Sequence, residues 1–245
     1  MKKPKYTTLR SKKDIVNIFP RDFLPIFVKD KIIKLYFEGI KKSKNSKTHN
    51  FPKLMRFYCL IQMVNYVLEK KKVYDFVECG CWKGHSSYII SKLIKAKKKK
   101  INFHIFDSFE GLSDSTKEDE RYHLINKTKK DKIKRYFQSN EQFVRNYVLK
   151  KFKFVSTYKG WIPKKFDKVK NKKFSLIHID VDLFKPTYDS LRFFYPKLCK
   201  GGVILCDDYN VTGFPGAKNA WDKFFKNKKY SFFFKNPLGG CFIIK

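Results

Sequence analysis

The amino-acid sequence predicts an α/β protein built on a doubly wound, mostly parallel β-sheet. Apolar stretches with strand patterns alternate with amphipathic helical stretches, and this alternation is typical of parallel strands joined by right-handed crossovers. Acidic residues stand where several of these strands should end, which is the edge at which open α/β sheets bind ligands. The 245 residues, 42% of them hydrophobic, suffice for one large domain with a buried core.

The first 50 residues are expected to form a basic helical appendage. They hold basic runs and one mixed apolar stretch, DFLPIFVKDKIIKLYFEGI, which has the length of a short helix or two. From Phe51 to Lys72, apolar residues at spacings of three and four follow Pro52, which predicts an amphipathic helix leading into the first strand. The main domain is therefore expected to span residues 51–245.

The remaining elements follow in alternation along the chain. We predict strands at 74–79, 101–106, 153–158, 174–180 and 202–206, and helices at 85–96, 186–198 and 216–227. The terminal stretches YSFFF and GGCFIIK predict a closing pair of strands, which brings the sheet to about seven strands. Segment 114–151 is too long for an ordinary connection, and we interpret it as a helical lid insertion.

The composition limits the partners of the protein. The net charge of +34 suggests nucleic acid, but only seven of the 56 basic residues are Arg, the better reader of bases and phosphates. An AT-rich genome would produce the same excess of Lys, so nucleic acid is the less favoured partner and an anionic small substrate is compatible. The sequence has no apolar run of membrane-spanning length and no signal peptide, so we expect a cytoplasmic protein. Its six scattered cysteines form no CxxC pair, which favours free thiols over a zinc site.

The loop after the first strand has features of a nucleoside-binding site. Glu78, Gly80 and Gly84 form an ExGxxxG arrangement, and Ser86 lies at the start of the next helix, where free amides can donate to a ligand. Asp107 ends the second strand, a typical place for an acid that binds both ribose hydroxyls. Because the chain has no GxGxxG pyrophosphate loop, the pattern favours S-adenosylmethionine, which has a ribose, no phosphate and a cationic sulfonium that suits acidic surroundings.

Two further pairs of acids predict a metal site. They stand at the ends of two predicted neighbouring strands: Asp180, Asp182, Asp207 and Asp208. Carboxylate oxygens are ligands that Mg²⁺ prefers, and the ion would lower the pKa of a substrate hydroxyl whose proton an adjacent carboxylate or Lys185 could accept. The alternative is that Asp207 and Asp208 only turn the chain after the strand. A metal is favoured, since paired carboxylates would repel one another without a cation.

Two other residues near these strands have open roles. His178 lies two residues before Asp180 and should share its face of the strand, where it either orients an acid or is a buried, hydrogen-bonded histidine. Trp161 follows the third strand, where it either closes over a ligand or belongs to the core.

In order along the chain, these motifs resemble those of the macrocin-type sugar O-methyltransferases, a family of Mg²⁺-dependent and S-adenosylmethionine-dependent enzymes. The resemblance extends from about Thr48 to Phe225 and rests on FVECGCWKGHSS, FHIFDSFEGL, YKGWIP, LIHIDVDLFKPT and YPKLCKGGVILCDDY. It implies the class I methyltransferase fold, a Rossmann-like sheet of seven strands in which the last is antiparallel.

The resemblance also implies a role for each matched residue. The residues implied to bind the cofactor are Glu78, Gly80 and Gly84 at the methionine and ribose end, Asp107 at the ribose, and Ser108 and Phe109 near the adenine. The implied metal ligands are Asp180, Asp207 and Asp208, with Asp182 as a ligand or the general base. Related catechol methyltransferases use a lysine three places beyond the first metal aspartate; Leu183 stands there in this chain, so Asp182 or Lys185 must be considered instead.

The expected reaction is methyl transfer to a sugar hydroxyl. The many lysines are consistent with a nucleotide-linked sugar acceptor of a surface polysaccharide pathway, since they could bind its diphosphate. One alternative is a metal-dependent glycosyltransferase, in which Asp180–Asp182 would be a DxD element. A second is a basic nucleic-acid-binding protein or RNA methyltransferase. A homo-oligomer is compatible with the sequence.

Overall fold

The computed structural model of the protein describes residues 31–45, 49–211 and 213–245. Within them lies a seven-stranded sheet of order β3-β2-β1-β4-β5-β7-β6. The strands are β1 (Asp75–Cys79), β2 (Phe103–Asp107), β3 (Val155–Lys159), β4 (Phe174–Ile179), β5 (Leu198–Cys206), β6 (Phe232–Lys235) and β7 (Cys241–Ile244). The first five strands are parallel, and β7 runs antiparallel to both β5 and β6. The predicted class I methyltransferase sheet is confirmed.

Helices cover both faces of the sheet. The longer helices are α1 (Lys31–Ser43), α2 (Phe51–Leu68), α3 (His85–Ala96), α4 (Lys127–Tyr136), α5 (Phe184–Phe194) and α6 (Pro215–Phe225). Apolar residues of α2 and α3 pack on one face of the sheet, whereas those of α5 and α6 pack on the other. This division follows from the pleat of the strands, because neighbouring residues such as Phe76 and Val77 point to opposite faces.

Some predicted elements end earlier than expected. Helix α2 stops at Leu68 because the following EKKK run offers no apolar side chain to bury. Helix α5 stops at Phe194, and a single 3₁₀ turn containing Pro196 leads into β5. Proline has no backbone N–H and its ring clashes with the preceding turn, so it cannot continue the helix that was predicted to reach residue 198.

The appendage is described only from residue 31 onward, and residues 1–30 and 46–48 lie outside the described residues. Helix α1 buries Ile33, Tyr36 and Ile40 against α2 and α3, in a cluster that includes Phe57 and Ile89. Within the described residues, no helix is both long enough and apolar enough to cross a membrane.

The chain between β2 and β3, residues 108–154, contains the segment 114–151 for which helices were predicted, and is called the insertion below. Its elements are a 3₁₀ turn (Lys117–Asp119), a short helix (Arg121–Leu124), α4, a helical turn (Glu141–Phe143) and a π-helical turn (Val144–Val148). Glu110 and Gln138 form an antiparallel bridge, and the amide of Ser139 donates to the carbonyl of Phe109 across 3.3 Å. The two ends of residues 110–138 therefore meet at the sheet edge.

Candidate active site

A cleft opens at the carboxyl edge of the parallel strands. It encloses about 750 Å³, including space open to solvent, and is called the main cleft. Its lining includes Lys53, Gly80, Trp82, Asp107, Ser108, Leu112, Ser113, Phe137, Trp161, Ile162, Asp180, Asp182 and Pro186. The carboxyl ends of β1, β2, β3 and β4 and the insertion thus meet around one space.

Asp107 organises the loop after β1. Its Oδ2 accepts hydrogen bonds from the amides of Cys81 (2.7 Å) and Trp82 (2.8 Å), and its Oδ1 accepts one from the amide of Phe109 (2.7 Å). Burial raises the pKa of Asp107, although these amide donors act in the opposite direction. Asp107 therefore joins the loops after β1 and β2 and presents its carboxylate at the wall of the main cleft.

Glycine is required at two positions of the first loop. Gly80 has a φ of +83°, and a Cβ there would lie 1.8 Å from the carbonyl oxygen of Asp180. Gly84 has a φ of +80°, and a Cβ there would lie 3.2 Å from both Val144 and Val148 of the insertion. The two glycines thus permit the loop to approach Asp180 on one side and the insertion on the other.

Glu78 and His178 form a buried pair beneath the cleft. The two residues are in register on neighbouring strands, and His178 Nδ1 lies 3.0 Å from Glu78 Oε1. Ser87 Oγ donates to Glu78 Oε2. Burial opposes the charged form of His178, but the hydrogen bond and charge of Glu78 raise its pKa overall. Neither residue is in the lining of the main cleft.

Two other residues implied to bind cofactor are also held away from the lining. Ser86 is buried in the first turn of α3, and Phe109 is buried in the core on the α2 and α3 face. Ser108 does line the cleft, and its hydroxyl donates to the carbonyl of Gly111.

The three predicted metal ligands, Asp180, Asp207 and Asp208, form one group, which is called the acid cluster below. Single carboxylate oxygens of Asp180, Asp207 and Asp208 all lie within 4.8 Å of one another. Backbone hydrogen bonds extend the ladder to this point, from the amide of Asp180 to Cys79 (2.8 Å) and from the amide of Asp207 to Ile179 (2.9 Å). The acids at the ends of β4 and β5 are therefore side by side, as the parallel pairing of the two strands requires.

Asp182 lies beside this cluster and is held by it. Its amide donates to Asp208 Oδ2 across 2.8 Å. Burial and the charge of Asp180 raise the pKa of Asp182 to about 8, while burial and the charge of Asp207 raise that of Asp180 to about 6. Burial and the neighbouring carboxylates also raise the pKa of Asp208. These shifts reflect acids that repel one another in a desolvated space.

Two cations from α2 reach the acids and were missed by the sequence prediction. Arg56 Nε donates to Asp207 Oδ2 across 2.9 Å, and its charge outweighs burial and lowers the pKa of Asp207. Lys53 lines the main cleft with its Nζ 5.6 Å from the ring centroid of Trp82. Burial lowers the pKa of Lys53, although the negative charge of Asp180 acts in the opposite direction. The available signal was two cations three residues apart on an otherwise uncharged helix, which share one face.

Lys185 is not brought to the acid cluster. Its Nζ pairs with Asp189 Oδ2 at 2.8 Å, one turn along α5, and its side chain is 64% exposed. It is not part of the main cleft lining, whereas Asp182 is. Trp161 does line the cleft, and Lys134 of α4 lies 5.3 Å from its ring centroid.

The donor set at the acid cluster fits a divalent cation. It consists of carboxylate oxygens alone, which suits Mg²⁺ better than softer metals. A carboxylate has several lone pairs, so the bonds that Asp207 and Asp208 already accept leave them able to bind an ion. The raised pKa values of Asp180 and Asp182 indicate carboxylates that lack sufficient positive charge nearby.

Comparison with known proteins agrees with the fold. The macrocin O-methyltransferase (TylF) family model matches residues 48–235 of this chain. Demethyldecarbamoylnovobiocin O-methyltransferase of Streptomyces niveus is 24% identical over 191 residues, which are 73% of this chain and 68% of that protein. The 8-demethyl-8-(2,3-dimethoxy-alpha-L-rhamnosyl)-tetracenomycin-C 4'-O-methyltransferase of Streptomyces olivaceus is 25% identical over 173 residues, which are 68% of this chain and 64% of that protein.

Solved structures share the architecture. The O-methyltransferase NovP superposes with a TM-score of 0.67 at 21% identity, covering 85% of this chain and 88% of its own. The calicheamicin methyltransferase CalS11 gives a TM-score of 0.54 at 16% identity, covering 90% of this chain and 95% of its own. The family match covers most of the chain and replaces the glycosyltransferase interpretation of Asp180–Asp182. The chain therefore belongs to the macrocin O-methyltransferase family and is an S-adenosylmethionine-dependent O-methyltransferase of the class I fold.

Proposed function

We propose that this protein transfers a methyl group to a hydroxyl of a nucleotide-linked sugar and that the reaction depends on Mg²⁺. The observation that carries the proposal is the acid cluster of Asp180, Asp207 and Asp208, which reaches the wall of the main cleft through Asp180. Sugars offer neighbouring hydroxyls, and an oxygen-binding cation is suited to hold one of them close to a methyl donor. Both curated relatives are O-methyltransferases of natural products, and the name of the second includes a rhamnosyl group.

Different residues would hold the ion, hold the methyl donor and accept the proton. Asp180, Asp207 and Asp208 would hold the ion, and Gly80, Asp107 and Ser108 would hold the methyl donor. When bound, the donor supplies an electrophilic methyl group and the ion lowers the pKa of the acceptor hydroxyl. Asp182 is the base we favour, because it lines the cleft beside the acid cluster, whereas Lys185 pairs with Asp189 outside the cleft.

A lysine-containing groove beside the main cleft supports a charged acceptor. The two spaces share Leu112 and Ser113, and the groove is lined by Lys127, Lys130 and Lys134 of the insertion together with Asp114 and Asp131. A sugar diphosphate carries negative charge at a fixed distance from its sugar, so lysines at this position could bind the diphosphate while the sugar lies near the acids. CalS11 is described as a TDP-rhamnose 3'-O-methyltransferase, which makes TDP-rhamnose the first acceptor to test.

The donor and the ion are tested by calorimetry. Titration of S-adenosylhomocysteine into the protein should show one saturable site, and titration of Mg²⁺ should show a second. Asp180→Asn and Asp207→Asn should weaken Mg²⁺ binding by about tenfold or more while leaving S-adenosylhomocysteine binding within about twofold. Mg²⁺ binding that is unchanged in both variants would remove the ion from the proposal, and failure of the wild type to bind S-adenosylhomocysteine would contradict the cofactor site.

The acceptor is tested by mass spectrometry for an added methyl group on TDP-rhamnose, free rhamnose and methyl rhamnoside. The triple variant K127Q/K130Q/K134Q should raise KM for TDP-rhamnose by about tenfold without affecting an uncharged acceptor. The matched control is K95Q/K98Q/K100Q, which removes the same charge from an exposed run at the end of α3. Methylation of the uncharged sugars alone would exclude the nucleotide-linked acceptor, and an equal effect of both triple variants would exclude the groove as the place that binds its diphosphate.

A further inference from the structure

The turn that presents Asp182 is strained. Asp182 has a φ of +59°, a conformation that residues with side chains rarely adopt, and the next amide, of Leu183, donates back to the carbonyl of Val181 across 2.6 Å. Such a conformation persists only where the surrounding structure fixes it. The groups that fix this turn therefore decide where the Asp182 carboxylate lies.

Two buried carboxylates hold the turn from either side. Asp208 Oδ2 accepts from the amide of Asp182 (2.8 Å), and Asp119 Oδ1 accepts from the amide of Phe184 (2.7 Å). Asp119 belongs to the insertion and is fully buried. Its other oxygen, Oδ2, accepts from the amide of Thr116 across 2.7 Å, so both carboxylate oxygens are used. Asp119 thus fastens the insertion to the residue that directly follows the strained turn.

Helix α6 encloses this contact. A Cβ on Gly216 would lie 1.8 Å from Asp119 Oδ1 and 2.6 Å from the amide nitrogen of Phe184. Asn219, one turn further along α6, donates its amide to the carbonyl of Glu118 across 2.8 Å. The segment around Asp119 is therefore confined between the starts of α5 and α6, with no room to move toward α6.

A carboxylate at the first turn of α5 could serve stability alone, since acids are favoured near a helix N-terminus. The position of Asp119 indicates a role in placing Asp182 as well. The amide that Asp119 binds is two residues from Asp182, and the insertion that carries Asp119 also lines the main cleft through Leu112 and Phe137. A shift of the insertion would be passed to the turn through one short, buried hydrogen bond.

We propose that Asp119 is a positioning residue, which holds the Val181–Leu183 turn so that the Asp182 carboxylate faces the acceptor site, and that it couples this turn to the insertion. The proposal rests on the proposed function, in which Asp182 accepts the proton of the acceptor hydroxyl. Asp119 itself is fully buried and does not line the main cleft.

Two substitutions disturb the contact from opposite sides. Asp119→Asn keeps the size of the side chain but replaces one acceptor oxygen by an NH₂ group, so either Thr116 or Phe184 loses its acceptor. Gly216→Ala leaves Asp119 intact, improves helix propensity in α6 and places a methyl group against the Asp119 carboxylate. The matched control is Asp167→Asn, which neutralises an exposed aspartate outside the cleft.

The test measures methyl transfer, S-adenosylhomocysteine affinity, Mn²⁺ affinity and hydrogen exchange of the peptide containing residues 180–186. Both variants should lower kcat by about 10- to 100-fold, keep S-adenosylhomocysteine affinity within about twofold of wild type and speed exchange in that peptide. The control should change none of these. Unchanged kcat and exchange in both variants, or a parallel loss of kcat and S-adenosylhomocysteine affinity, would overturn the positioning role.

These measurements also separate this proposal from the proposed function. If the wild-type protein methylates no sugar acceptor, the proposed function fails on its own. The exchange of residues 180–186 and the Mn²⁺ affinity then decide the role of Asp119 without any acceptor. Faster exchange with Mn²⁺ affinity weakened by about tenfold supports it, and wild-type values for both contradict it.

Discussion

Arg56 and Asp207 form an ion pair across 2.9 Å, in which the side chains are 15% and 7% exposed. Arg56 lies on α2 and Asp207 follows β5, so the pair joins a helix near the start of the domain to the far side of the acid cluster. Because Asp180 and Asp208 lie close to Asp207, Arg56 provides positive charge to all three acids before any metal binds.

Replacing Arg56 should therefore destabilise the metal-free protein. Arg56→Met leaves a buried carboxylate next to two others, and breaking such a pair costs about 3–5 kcal/mol in the free energy of unfolding. Mg²⁺ should restore part of that loss. Urea unfolding with and without Mg²⁺ measures both effects. The control is Arg145→Met, whose 61%-exposed side chain pairs weakly with Glu141 and should cost less than about 1 kcal/mol. Equal effects of the two substitutions would contradict the prediction.

The metal-free protein should lose stability as the pH rises. The pKa is raised to about 6 for Asp180 and to about 8 for Asp182, so the folded state keeps protons that an unfolded chain releases near pH 4. The stability present at low pH is therefore lost between about pH 4 and pH 8. Asp182→Asn should flatten the upper part of this profile, and Mg²⁺ should bind more tightly as the pH rises. Melting temperatures of the wild type and of Asp182→Asn, measured across this pH range, test the prediction. Parallel profiles for the two proteins would contradict it.

Gly80→Ala should damage the metal site as well as the loop. The new Cβ would meet the carbonyl oxygen of Asp180 at 1.8 Å in a residue with a φ of +83°. Backbone strain alone costs about 1–3 kcal/mol, and relief of the clash would displace Asp180. We expect reduced stability by urea unfolding and weaker Mn²⁺ binding. The control is Gly213→Ala, since a Cβ there has no neighbour within 4 Å. Wild-type Mn²⁺ affinity in Gly80→Ala would show that Asp180 does not depend on this approach.

Asp107→Asn should weaken binding of the methyl donor. The carboxylate accepts three backbone hydrogen bonds, and an NH₂ group in place of one oxygen leaves a donor unpaired at a cost of about 1–3 kcal/mol. Because the loop amides of Cys81 and Trp82 would then shift, S-adenosylhomocysteine affinity should fall by about tenfold or more, while Mg²⁺ affinity stays within about twofold. Calorimetry measures both, with Asp167→Asn as the exposed control. An unchanged affinity for S-adenosylhomocysteine would remove Asp107 from that site.

The sheet could be predicted from the sequence because the strands of a doubly wound fold are short apolar segments with recognisable ends. The same logic predicted that Asp180, Asp207 and Asp208 would meet, since neighbouring parallel strands end at one edge. It did not predict that Glu78, which lies within the predicted strand 74–79, would be buried against His178 and absent from the lining of the cleft. The signal was His178, a complementary residue in the middle of an equally apolar strand that pairs with β1.

The contributions of α2 and α5 to the site depended on tertiary packing. Arg56 reaches Asp207 across 151 positions of sequence, and no local pattern specifies that pairing. Lys185 was a reasonable candidate from its closeness to Asp182 along the chain. Helix α5 begins at Phe184, however, and the next residue pairs with Asp189 four positions on, on an outward face. Closeness in sequence therefore did not give closeness in space.

The bridge between Glu110 and Gln138 has a consequence for how this enzyme can diversify. Since the two ends of the intervening segment already meet, changing its length adds little loop-closure entropy and leaves β2 and β3 in place. The segment forms a wall of the cleft through Leu112 and Phe137, so exchanging it as one unit between homologues would alter substrate preference. Such grafts should succeed where the donor segment keeps an aspartate at the place of Asp119, and libraries for new acceptors are best confined to residues 111–137.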